Sequence, residues 1–502
     1  MSASREKKRR QEFLAANGGV DPKAVREAEQ KAAEKKSKIL YTSIAIIFAV
    51  VAVALVIFNS GVVQRNRAAV VIDGEEYNAA DVNYYYINAY QNFMQNGYGS
   101  YFINTEAPLD SQIYLGDENK TWADYFKEEA VSTMKLIHAA CKAAKAEGVS
   151  LDDADKANIE ANIESVKVTA NTNGYTYESY LQAMFGSLMT PAIYEENLER
   201  SALASKYTSN YYDNLSFTDE EILAFYEANK NTYDIVDGGY VTFSGTPETK
   251  KDAEGNTIEP TVGEKDTALK NAKASAEDVL ATFNQGELTL EEIATLHDAS
   301  YTGGADLKFS SGTAMEWLFD ENRKAGDVEL LFNEETSTYY VAVFNGRMRD
   351  ESPDYNVRHI LITDKNLDLA EGETAPEGAV LAKAEEILAS WDGTEDGFAA
   401  LAKEHTQDGN GDVGGIYENV VKGQMVAQFE DWCYAEGRKA GDTGIVETSY
   451  GQHIMYFVGY GDGQYWSTTC KTALANQNYN EWETKLADSV TAETKGGMSS
   501  VG

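Results

Sequence analysis

Histidine is scarce in this chain, five in 502 residues, and cysteine is scarcer still, three. Cys141, Cys433 and Cys470 are too few and too scattered for a disulfide framework. One bridge between Cys433 and Cys470 stays open, with buried free thiols as the simpler expectation. Basic residues are outnumbered: 43 Lys and Arg against 81 Asp and Glu leave a net charge of −38. That balance lacks the basic footprint a nucleic acid requires, so such a partner is excluded. It suits solubility and cationic counter-ions, and a solvated acidic surface is its plainer meaning. No motif presents a serine nucleophile to a histidine. No Cys, His, Asp and Glu stand at metal-ligand spacing, so neither a metal nor another cofactor is expected. The segment 408–412 (DGNGD) opens like a calcium loop, but Val413 stands where such a loop needs glycine and Asn419 where it needs glutamate. It is therefore a turn.

What is present begins with a basic tail. Residues 1–38 hold eleven Lys and Arg against six Asp and Glu. Residues 39–58 follow without one charge, a run long enough to cross a bilayer as a helix. The basic region is too long, and the apolar run exceeds the core of a cleaved signal peptide. No cysteine adjoins the run to carry a lipid. The charge bias keeps the tail in the cytoplasm and puts everything after about residue 60 outside, with Arg65 and Arg67 opposing weakly. The expectation is a single-pass cell-membrane protein whose bulk is extracytoplasmic.

Residues 68–233 read as a mostly helical domain after a short strand, an Asp73-Gly74 turn and a second strand. Helices are expected over 79–94, 122–147, 152–169 and 177–214. Thr218 caps another, with acidic residues in its first turn. Tyrosines cluster at 84–86 and 211–212, either as adaptable contacts for extended peptides or as core. Next comes an internal repeat. Residues 317–327 (WLFDENRKAGD) match residues 432–442 (WCYAEGRKAGD) at an offset of 115. Two tandem copies of one α+β module follow from this, at 234–350 and 354–462. Residues 248–265 look like a mobile polar insertion. Residues 463–502 read as a C-terminal helix and a Gly/Ser-rich disordered tail.

Two of the five histidines, His359 and His453, sit in matching apolar, β-favouring contexts within the second copy. The first copy places about Val241 and Tyr339 at those positions, so the module folds without the pair. Around the histidines stand the strand 359–362 (HILI), the loop 411–415 (GDVGG), the run 423–430 (GQMVAQFE) and the segment 451–455 (GQHIM). In this order they resemble a parvulin-type peptidyl-prolyl isomerase domain. The wider layout resembles the PrsA/SurA group of extracytoplasmic foldases. A retained membrane span departs from members that carry a lipid anchor or a cleaved signal.

The resemblance implies an α+β protein: a transmembrane helix, a helical chaperone-like domain, a degenerate parvulin-like module, an isomerase domain and a C-terminal helix. It assigns His359, Asp408, Thr448 and His453 to the catalytic centre. It assigns Val413, Met425 and Phe429 to the pocket that receives the proline ring. The partners it implies are unfolded or proline-containing secreted polypeptides, and a homodimer is compatible with the sequence. The loop after the first strand, 363–371, is acidic where phosphate-reading relatives are basic, which disfavours a phosphorylated substrate. The negative field of Asp408 near the substrate carbonyl is a candidate contribution to loss of amide resonance.

Overall fold

The computed structural model describes residues 3–16, 18, 42–44, 46–53, 61–97, 99–252, 254–367, 369–370 and 373–502. The chain divides into two compact units, residues 1–214 with 479–502, and residues 215–478. Part of the expected span 39–58 falls outside the described residues, at 39–41, 45 and 54–58. Within it, residues 42–44 and 46–53 are helical, with apolar side chains such as Ile47 and Phe48 exposed. Among the described residues no helix is long and apolar enough to cross a membrane.

In the first unit, β1 (Ala68–Ile72) and β2 (Glu75–Asn78) form a hairpin. Asp73 and Gly74, at φ 50° and 88°, supply the two left-handed residues that a tight hairpin turn demands. Asn78 then caps α1 (Ala79–Gln95) with a reciprocal capping box. Helix α2 (Trp122–Glu147) runs from the Thr121 cap to Gly148, which closes it in the left-handed conformation. Next come α3 (Asp153–Thr172), α4 (Tyr177–Phe185) and α5 (Pro191–Asp213). The single helix expected over 177–214 is thus two. Gly186, at φ 92°, ends α4, and Thr190 with Pro191 starts a new helix, proline being tolerated in a first turn.

In this unit one alternative left open by the sequence is decided, and one expectation fails. Tyr84, Tyr85 and Tyr86 are buried in the core among Phe126, Phe185 and Tyr194, so they are packing and not an open peptide surface. The C-terminal tail is ordered. Ala492–Thr494 pairs with β1 as a third strand, Val501 is buried, and the Gly502 N–H donates to Asn83 Oδ1 at 2.9 Å. Its glycines serve close approach: a Cβ on Gly497 would lie 2.6 Å from the Ala68 carbonyl oxygen.

The second unit opens with α6 (Asp219–Ala228), capped by Thr218 and Glu221. The first module follows as β3 (Asp234–Ser244), α7 (Val262–Phe283), α8 (Leu290–Leu296), β4 (Ser300–Lys308), α9 (Thr313–Leu318), β5 (Asp327–Asn333) and β6 (Thr338–Arg349). The second repeats the plan as β7 (Pro353–Ile362), α10 (Ala379–Ala389), α11 (Glu395–His405), β8 (Ile416–Val420), α12 (Ala427–Cys433), β9 (Thr443–Thr448) and β10 (Gly451–Gln464). Helix α13 (Tyr465–Asp488) comes last. Both sheets are antiparallel with the same order, β4-β3-β6-β5 and β8-β7-β10-β9. The insertion 248–265 is partly structured: Lys250–Lys251 pairs with Thr257–Ile258, and Thr261 with Glu264 caps α7. The three cysteines are buried free thiols.

The registers correct the alignment of the copies. The N–H of Gly326 donates to Phe344 O, as that of Gly441 donates to Phe457 O, both at 2.8 Å. Both sheets have a bulge beside that phenylalanine, after Phe344 in β6 and after Phe457 in β10. Counted from these landmarks, the positions equivalent to His359 and His453 are Tyr240 and Tyr340. Val241 and Tyr339 are each one residue off, and in a strand one residue is the opposite face. Val241 accordingly packs with Ala276 and Val279 of α7, whereas Tyr240 packs on the face of Phe344 and Leu318. The two tyrosine rings meet at 5.8 Å.

Candidate active site

His359 lies mid-strand on β7 and His453 on β10, paired diagonally: His359 faces Met455, and His453 faces Leu361. Strand alternation sends both imidazoles to the face that also buries Val357, Met455 and Phe457. They are 3% and 6% exposed, so each nitrogen needs a protein partner. Nδ1 of one meets Nδ1 of the other at 3.1 Å, with the rings stacked 5.3 Å apart. Nε2 of His359 lies 2.7 Å from Asp408 Oδ2. Nε2 of His453 lies 2.8 Å from Thr448 Oγ1.

The chain of contacts has one direction. His359 beside it holds the Asp408 carboxyl well below the usual carboxylate range, so it is ionised and can only accept. With one proton on each ring, His359 carries its own on Nε2, facing Asp408, and accepts on Nδ1. His453 then donates from Nδ1 and accepts on Nε2 from the Thr448 hydroxyl. The Tyr450 N–H donates to Thr448 Oγ1 at 3.1 Å, which leaves that hydroxyl proton free to point at His453. Burial, helped by the neighbouring His359, pushes the His453 pKa down to about 4, so this imidazole is neutral at physiological pH.

The loop that carries Asp408 is built to approach β7 closely. Thr406 Oγ1 accepts from the N–H groups of Leu361 and Asp408, at 3.0 and 3.2 Å. The His359 N–H donates to Gly415 O at 2.9 Å. Gly415 sits at φ 70°, where a Cβ would lie 2.3 Å from the His359 carbonyl oxygen. A side chain there would push the loop, and Asp408 with it, off the histidine.

Of the residues expected at the pocket, Phe429 on α12 is buried and sets its ring edge against both imidazoles, at 5.4 and 5.6 Å. Met425 is half-buried on the same core cluster, and Val413 is 59% exposed at the end of the Asp408 loop. The seven expected residues thus comprise a bonded set of four and three apolar side chains, of which Phe429 touches that set. The expectations passed over Tyr417. Its hydroxyl donates to Asp408 Oδ2 at 2.7 Å, and its ring stacks on His359 at 5.2 Å. Tyr417 pairs with Val357 across β7 and β8, so strand alternation from His359 would have pointed to it. Among the described residues no group of three or more His, Cys, Asp and Glu side chains could hold a metal ion.

The family model of the PPIC-type PPIASE domain matches residues 339–458. Foldase protein PrsA 1 of Listeria monocytogenes serotype 4b (strain F2365) is 28% identical over 171 residues, covering 32% of this chain and 50% of the relative. The chain thus spans about half the length of that curated relative. PrsA of Bacillus subtilis, a crystal structure, aligns with 76% of this chain and 91% of its own, at 13% identity and a TM-score of 0.26. PrsA of Bacillus anthracis aligns with 28% of this chain and 59% of its own, at 24% identity and a TM-score of 0.18.

Proposed function

With a parvulin-type domain of the PPIC family within residues 339–458, we propose that this protein is a foldase that catalyses cis-trans isomerisation of X-Pro bonds in extracytoplasmic polypeptides. The observation that carries the reading is the one-way chain Thr448–His453–His359–Asp408 beside an apolar rim. Prolyl isomerisation breaks no covalent bond; its barrier, on the order of 20 kcal/mol, is the amide resonance lost on twisting. A catalyst must grip the ring and favour the twisted amide over both planar forms. Met425 and Val413 supply apolar grip, with Phe429 behind them. The buried imidazoles supply a floor whose dipoles are already oriented, so they need no reorganisation as the amide turns. Both Asp408 oxygens are engaged, Oδ2 by His359 and Tyr417 and Oδ1 by the Gly409 N–H. Its main role in this reading is therefore to orient the histidines, and its field on the substrate carbonyl is secondary.

The N-terminal run is read as the membrane anchor, with the basic tail inside the cell. The exposed apolar side chains of the helical residues 46–53 support this, since a lipid phase would cover them. Clients are unfolded or proline-bearing secreted chains, and the first module, with tyrosines in place of the histidines, binds without catalysing.

The test is acceleration of cis-trans exchange in a proline-containing tetrapeptide by the intact chain, alongside suppression of client aggregation. Isomerisation well above the uncatalysed rate is expected. Aggregation suppressed with no acceleration would make the protein a holdase and end the enzymatic reading.

A further inference from the structure

We propose that Tyr417 is a positioning residue of the isomerase site: its hydroxyl and Nε2 of His359 jointly clamp one oxygen of Asp408, and so set the direction of the whole hydrogen-bond chain. The inference rests on the isomerase reading and adds a residue to it.

Asp408 stands on a loop of ten residues between α11 and β8, its side chain 28% exposed. A carboxylate there, held by one imidazole, could turn about its last torsion, which is soft in aspartate. Two donors converging on Oδ2, each at 2.7 Å, remove that freedom. Tyr417 is itself braced, since its strand position opposite Val357 lays the ring over His359 at an interplanar angle of 25°. Burial, with Asp408 next, raises the phenol to about 12, so at physiological pH the hydroxyl keeps its proton and can donate it to the carboxylate.

The direction of the chain depends on this. If Asp408 took up a proton on Oδ2, it would donate it to Nε2 of His359. His359 would then donate from Nδ1 to His453, and His453 from Nε2 to Thr448. Every dipole of the floor would invert. A second donor on Oδ2 stabilises the ionised carboxylate against that inversion. The titratable groups facing Asp408 are His359 from β7, Tyr417 from β8 and, one bond further, His453 from β10; α12 presents the uncharged Phe429.

The experiment compares the intact wild-type chain with Tyr417→Phe, which keeps the ring and removes the hydroxyl, and with Tyr417→Leu, which removes both. Tetrapeptide isomerisation is followed from about pH 8 down to about pH 2, and the Asp408 carboxyl carbon is titrated by NMR over the same range, since the group titrates below the usual carboxylate range. For Tyr417→Phe, kcat should fall about tenfold with KM nearly unchanged, the scale of one lost charge-assisted hydrogen bond. The acid limb of the rate profile and the Asp408 titration should both move to higher pH. If both stay at wild-type values and only Tyr417→Leu loses turnover, the residue is packing alone and the proposal is overturned. Should the wild type fail to accelerate isomerisation while the Asp408 titration moves as expected, the clamp stands and the isomerase reading fails.

Discussion

The two tandem modules share a strand order, a turn sequence and a bulge position, yet one carries His359 and His453 where the other carries Tyr240 and Tyr340. The helix-to-strand connection differs as well. Three residues separate Leu296 from Ser300 in the first module, and ten separate His405 from Ile416 in the second. Those ten bring Asp408 to His359. The helix-covered face is packed alike in both sheets: β3 and β6 bury Val241 and Val341 against α7, and β7 and β10 bury Ile360 and Ile454 against α10 and α11. The scaffold is therefore separable from the polar set, and that set is assembled by a loop the other copy lacks.

Removing both histidines breaks the comparison most severely. The double variant His359→Ala, His453→Ala should lose on the order of 10³-fold in tetrapeptide turnover, the scale of lost preorganised polar groups. Its β-sheet circular dichroism should persist, as the first module's sheet stands without the pair. Turnover near the wild-type level would reduce the histidines to props.

Acid should distinguish the modules next. His453 is neutral in the fold with its pKa lowered to about 4, against about 6.5 in an unfolded chain. Between those values the unfolded state binds the extra proton, so stability falls as pH drops from 6.5 to 4 and levels off below. The loss should be about 3 kcal/mol. Asp408, also lowered, adds a further loss below its unfolded value of 3.8. Hydrogen exchange along the second sheet should rise through this window, with β3 and β6 unaffected. Equal acid sensitivity of both sheets would contradict this account.

Asp408→Asn should slow isomerisation about tenfold while peptide affinity survives, since one charge-assisted bond is weakened and the apolar rim is intact. Unchanged turnover would take Asp408 out of the mechanism. The smallest effect is expected from the converse graft. Tyr240→His with Tyr340→His places imidazoles at the right register of the first module, but no loop supplies an Asp408. Measured with the second site disabled, isomerisation should not rise above background, and a gain would show that the pair alone suffices.

Much of this was legible in the chain. The ends of α2 follow from Thr121 and Gly148, and the seven site residues lie in short motifs with recognisable order. The face of each first-module residue was not legible. The loops between the strands differ in length between the copies, so the sequence offset drifts along the module, and an error of one residue reverses the face. The C-terminal glycines were misread for a similar reason, because composition cannot distinguish glycine that permits disorder from glycine that permits contact. Tyr417 was passed over because nothing in its immediate sequence marks it; its significance lies in a register with Val357.

The sequence by itself determined which residues could do chemistry here. Five histidines, one repeat and a few glycine turns narrowed the search to residues 354–462, since side-chain type and local backbone freedom are properties of the chain. Only the tertiary structure decided how those residues act. The direction of the Thr448–His453–His359–Asp408 chain, the buried neutrality of His453 and the second grip of Tyr417 all depend on distances between strands. Such distances follow from how two faces of a sheet are filled, which no short stretch of sequence contains.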